Sequence, residues 1–141
     1  MNRNVTVSVT GTQDCGGGWE TAAGFEGRGQ YFEKNGWRYL LYREQDTDSG
    51  ALTSNTLKIG DHLLELSRKG NVNTRMIFEA GRTHPAGYVT GFCSLPLEVC
   101  TEDIKCLWTE TKASIIITYK LMSAGTFLSR NRLSIKISQN N

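Results

Sequence analysis

Between residues 37 and 137 apolar and polar side chains alternate in short runs, each ended by a turn containing Gly, Asn or Asp. A period of two puts successive side chains on opposite faces of an extended chain, so this pattern specifies sheet. No stretch carries a sustained apolar stripe at helical spacing. Polar residues that fall on the apolar phase then become the informative ones, because a charge carried inward needs a partner or water.

The strands can be placed by their turns. Val5, Val7 and Val9 share one face of a strand at 5–10, with Thr6, Ser8 and Thr10 on the other. A Gly-rich segment follows at 13–24, centred on Gly16-Gly17-Gly18. A phosphate cradle would need G-K-[ST] and a helix start after it, whereas Trp19-Glu20-Thr21 follows, so a flexible turn is expected. Strands at 30–33 and 37–44 flank the hairpin signal Asn35-Gly36. A polar loop at 45–50 leads to strands at 53–59 and 62–68 around Gly60-Asp61, then across Gly70-Asn71 to 72–80. A loop at 81–85 precedes a strand at 88–92. Strands at 95–101 and 104–109 are joined by Glu102-Asp103, and those at 113–122 and 127–138 by Ala124-Gly125. Segments 20–26 and 101–107 each have room for one helical turn. About ten strands at this spacing make a sandwich or a barrel.

The 141 residues fit one domain spanning 1–141, large enough to need no disulfide or metal staple. The net charge of +2 gives no pull toward nucleic acid or membrane. The longest purely apolar run is Ile115-Ile116-Ile117, and the residues after Met1 contain no apolar signal core, so a cytoplasmic protein is expected. Cys15, Cys93, Cys100 and Cys106 include no C-x-x-C pair and are expected as reduced thiols, with Cys15 the most exposed.

The core phases are Leu40, Tyr42, Glu44; Leu64, Leu66, Arg68; Val72, Met76, Phe78; and Tyr88, Thr90, Phe92. They continue with Leu95, Leu97, Val99, Thr101; Ile115, Ile117, Tyr119, Leu121; and Asn131, Leu133, Ile135, Ile137. At 37–44 the set Trp37, Tyr39, Leu41 is an equally apolar alternative. Glu44, Arg68, Thr101, Tyr119 and Asn131 thus ride with aliphatic neighbours, and Glu44 and Arg68 have the opposite signs of a pair at a barrel mouth.

Tyr39-x-x-Tyr42-x-Glu44, Arg68-x-Gly70, Met76-x-Phe78-x-x-Gly81 and Tyr88-x-Thr90-Gly91-Phe92 occur in that order, followed by Thr101, Tyr119-x-Leu121 and Asn131-x-Leu133-x-Ile135. The ordered set, over 5–137, resembles the bacterial YwiB-like family of unknown function, DUF1934. The resemblance implies a calycin-like, lipocalin-like β-barrel and no established activity, cofactor or substrate. The family's Tyr-x-Thr-Pro-Tyr-Gly pattern is altered here, with Gly91 in place of Pro and Cys93 in place of Gly.

Catalytic signals are thin. His62 sits beside a turn and His84 precedes Pro85, neither in a nucleophile context. Glu98, Glu102, Asp103 and Glu110 read as a solvated acidic face, and no calcium loop occurs. Lys112, Lys120, Arg130, Arg132 and Lys136 form a basic outer face, expected to pair with the acidic 98–110 hairpin rather than to bind nucleic acid.

The expected fold is an all-β antiparallel barrel of about 8–10 strands with little helix. The leading functional reading is a non-enzymatic cytoplasmic protein binding a small, mostly apolar ligand, without cofactor, metal, nucleic acid or membrane. Its site residues are Tyr42, Glu44, Arg68, Thr101, Tyr119 and Asn131, the tyrosines as walls and Glu44 and Arg68 orienting a polar end. The alternative is a structural or protein-interaction domain with a filled barrel. An exposed strand edge or apolar patch would point to a homodimer.

Overall fold

The computed structural model describes residues 3–45, 48–70, 73–89 and 94–140. The chain forms β1 (Arg3–Asp14), β2 (Trp19–Lys34), β3 (Trp37–Gln45), β4 (Leu52–Ile59) and β5 (Leu63–Lys69). It continues with β6 (Asn73–Glu79), β7 (Thr83–Val89), β8 (Ser94–Trp108), β9 (Lys112–Ser123) and β10 (Thr126–Gln139). Each strand pairs antiparallel with the next, and β10 returns to β1 from Val5↔Gln139 to Asp14↔Arg130. The result is a closed antiparallel barrel of ten strands, with no helix among the described residues.

Alternation sets the lumen. Val5, Val7, Leu40, Leu57, Leu64, Phe78, Val99, Ile115, Ile117 and Ile135 are all nearly inaccessible and fill its middle. Leu40 at 0% and Tyr42 at 6% exposure resolve the two-way choice in β3. The competing set stays outside, where Tyr39 stacks on Phe32 at 4.8 Å and Lys58 lies over the Trp37 ring at 4.4 Å. An outer face this aromatic is what made the two phases look alike.

Several boundaries differ from expectation. The Gly-rich segment ends early: Asp14 accepts hydrogen bonds from the amides of Gly16 at 2.8 Å and Gly18 at 3.2 Å, and Trp19 already begins β2. Segment 20–26 is strand, not a helical turn, because it pairs with β1 on both sides of an irregularity at Ala22. Its glycines hide the alternation. At Gly29 a β-carbon would lie 2.7 Å from the Leu41 carbonyl oxygen and 2.8 Å from a Val7 methyl, so close packing requires the missing side chain. Segments 95–101 and 104–109 are one strand, β8, interrupted by a bulge between Thr101 and Asp103 that absorbs Glu102 without a helical turn. Within the expected 81–85 loop, residues 83–85 are instead the start of β7. Pro85 is tolerated there because β6 pairs with β7 only at Gly87–Val89, leaving the proline amide position off that ladder. Asn71, Val72, Thr90, Gly91, Phe92 and Cys93 lie outside the described residues.

The barrel has two chemically distinct ends. The upper rim carries the turns that follow odd-numbered strands, and the lower rim carries the N-terminus and the turns that follow even-numbered strands. Between β2 and β3 the ladder runs only from Gly29↔Tyr42 to Lys34↔Trp37, so the upper half of β2 pairs with β1 alone.

Candidate functional site

The upper half of the lumen is polar. Tyr42, Asn55, Arg68 and Thr74 are successive register partners across β3, β4, β5 and β6. Thr101, Tyr119 and Asn131 form a second row across β8, β9 and β10. Glu44 follows Tyr42 on the same phase. The expected site residues therefore fall into two cross-strand rows lining one half of the interior.

Glu44 and Arg68 meet. Arg68 Nη2 donates to Glu44 Oε2 at 3.1 Å, and with side-chain exposures of 36% and 31% the pair sits at the upper mouth. Tyr42 is buried beneath it, stacked on Phe25 at 4.9 Å between ring centroids. Tyr119 is partly buried and meets the edge of Phe78 at 4.9 Å. Burial pushes both phenols up to about 12, helped at Tyr42 by the Glu44 charge, while the Arg68 charge pulls each of them down. Tyr119 thereby couples the two rows, since the cation it feels belongs to the other one.

Asn131 is buried and satisfied, donating from Nδ2 to Ser129 Oγ at 2.9 Å. Its neighbours are not. Both amide atoms of Asn55, Arg68 Nε, Thr74 Oγ1 and Thr101 Oγ1 are buried without a hydrogen-bond partner among the described residues. Asn55 and Thr101 are each only 1% exposed. Buried polar groups in native proteins are nearly always hydrogen-bonded, so a cluster of unanswered donors and acceptors suits a polar guest.

Asn55, Thr53, Thr74 and Ser129 belong to the site and were missed in sequence. The signal existed for all four. Thr53 and Asn55 share the phase of Leu57 and Ile59, and Thr74 shares that of Met76 and Phe78. Ser129 shares the phase of Asn131, Leu133 and Ile135, at the edge of the bulge between Phe127 and Ser129.

Other candidates fall elsewhere. His62 is exposed in the turn before β5. His84 Nε2 lies 2.9 Å from Glu79 Oε1 at the lower end, away from Arg68. Arg130 holds Glu102 through two hydrogen bonds at 3.1 and 3.0 Å, which is the cross-sheet pairing expected of the basic face. Trp19 lies beside that face, with Arg132 at 4.9 Å from its ring. No helix among the described residues is long and apolar enough to cross a membrane.

No curated protein matches the chain. The crystal structure of the ywiB protein from Bacillus subtilis superposes on it with a TM-score of 0.86 at 24% identity, covering 99% of this chain and 94% of that one. That likeness is one of fold. In sequence, residues 7–135 match the model of a domain of unknown function (DUF1934), and the chain belongs to that family.

Proposed function

We propose that this protein is a calycin-like barrel that binds a small organic molecule in the upper half of its lumen, without catalysis. The polar end of the guest meets Arg68, Asn55, Thr74 and Thr101, and its apolar body lies against Tyr42, Phe25, Met76 and Tyr119. The observation that carries this reading is Asn55: an amide 1% exposed, with neither polar atom partnered, directly opposite Arg68 in the ladder. The cytoplasm is the proposed setting, in keeping with the free, exposed thiols of Cys15 and Cys106.

A second reading, a structural or interaction domain with a filled barrel, is favoured by the tight middle of the lumen, where Phe78, Leu40, Leu57, Ile115 and Ile117 are fully buried. The probe 1-anilinonaphthalene-8-sulfonate, an apolar ring system with one anionic group, separates the two. Binding predicts saturable fluorescence enhancement on the folded protein that Arg68→Met weakens about tenfold, the loss expected for charge-assisted hydrogen bonds. No saturable binding, or binding indifferent to both Arg68→Met and Asn55→Leu, would favour the filled barrel.

A further inference from the structure

The lower rim holds a cavity of about 120 Å³ that has no part in the site above. Its walls include Tyr31 and Trp108, whose ring centroids lie 6.0 Å apart. Arg38, on the lumen phase of β3, stacks its guanidinium over Trp108 with Cζ 4.0 Å from the ring centroid. Arg3 lies over Tyr31 at 5.8 Å and is fixed by a 3.4 Å hydrogen bond to the Glu110 carbonyl. Lys112 completes the cationic side. It is anchored through its backbone by Thr109, whose Oγ1 accepts from the Lys112 amide at 3.0 Å.

Two facts give this arrangement a chemical direction. Glu33 and Glu110 also line the cavity, yet neither lies within ion-pairing distance of Arg3, Arg38 or Lys112, and Glu33 Oε1 instead accepts from the Tyr31 hydroxyl at 2.7 Å. Arg38, moreover, spends its flat face on Trp108, and none of its N–H groups is among the buried unpartnered atoms, so the edge in its plane is left to solvent. A stacked guanidinium with a free edge presents the fork that matches a carboxylate. The pocket opens to solvent, so a single ring can enter it part-way with its polar end outward.

We propose that the lower rim is a second ligand site, taking a small planar carboxylate whose acid group meets the edge of Arg38 and the charge of Lys112 while its ring lies against Trp108 and Tyr31. This site shares no residue with the upper lumen and stands whether or not that one binds a guest.

Benzoate, benzamide and acetate are the probes, titrated into the labelled full chain and followed through the Trp108 indole and the 109–112 amides by NMR. Benzoate is expected to shift these signals saturably. Benzamide, with the same shape and no charge, and acetate, with the charge and no ring, should each bind about tenfold more weakly. Arg38→Met and, at an exposed position that folding does not need, Lys112→Met should each weaken benzoate several-fold, while Arg68→Met leaves it unchanged. No saturable shift, equal binding of benzamide or acetate, or benzoate binding indifferent to both Arg38→Met and Lys112→Met overturns the proposal.

Discussion

Thr101→Val is predicted to make the protein more stable. The Thr101 side chain is 1% exposed and its hydroxyl has no partner among the described residues. Valine has the same shape and the same preference for strands, so the substitution opens no cavity and adds no crowding. Burying a hydroxyl without a hydrogen bond costs about 1–3 kcal/mol, and a methyl in its place removes that penalty. Allowing for partial compensation in the unfolded comparison, the net gain is about 1–2 kcal/mol. For a chain of this length that raises Tm by roughly 3–6 °C. Urea unfolding should show a higher midpoint with an unchanged slope, as expected when native stability alone changes. Binding of the sulfonate probe should weaken in the same variant. A loss of more than about 1 kcal/mol would mean instead that the hydroxyl already makes a hydrogen bond worth that much.

Three further outcomes can be checked on the same preparation. Arg68→Met should change stability by less than about 1 kcal/mol, since the Glu44 pair is partly exposed and such pairs contribute little, so a clear loss of folding would assign Arg68 a structural role. Gly29→Ala should destabilise by about 1–3 kcal/mol in urea unfolding, because the added carbon meets the Leu41 carbonyl oxygen at 2.7 Å and backbone cannot easily yield. Tyr31, Tyr42 and Tyr119, each raised to about 12, should stay protonated when a free phenol titrates near 10. The folded state then holds more protons than the unfolded one between those values, so stability falls as pH rises through that window. Each phenol that is protonated in the folded state and ionised in the unfolded one adds a slope of up to about 1.4 kcal/mol per pH unit. A site-resolved signal showing Tyr31, Tyr42 or Tyr119 ionised near pH 10 in the folded protein would contradict the burial.

The architecture was legible because it depends on local alternation, which a linear chain displays directly. Val5, Val7 and Val9 announce their face without help, and so do Ile115 and Ile117, all of them buried as expected. What escaped depends on contacts between distant segments. The upper half of β2 reads as a loop until β1 is placed beside it, since its glycines serve close approach to neighbours that only the fold supplies. The β8 bulge at Glu102 likewise looks like a turn in isolation, because an inserted residue breaks period-two counting in one strand and is absorbed by its partner. The site was half legible for the same reason. Glu44 and Arg68 stood out as charges on an apolar phase, and the structure brings them together. The amide of Asn55 is no more conspicuous in sequence than any other polar residue, and its meaning comes from the absence of a partner in three dimensions.

Polar groups inside a barrel can serve to fix strand register, and that explanation can be weighed against binding at Asn55. Sliding β4 by one residue along β3 would turn Leu57 and Ile59, now at 0% and 2% exposure, onto the outer face. Those two side chains alone oppose the slip by several kcal/mol of apolar burial. An amide that hydrogen-bonds to neither neighbouring strand adds nothing to that choice. Asn131 differs, because its bond to Ser129 ties it to the residue at the edge of the bulge in β10. The lumen therefore contains both kinds of buried polar residue. Asn131 is explained by the fold it stabilises. Asn55, with Arg68, Thr74 and Thr101 around the same half of the barrel, has no such partner in the fold, and the proposed guest would answer those groups.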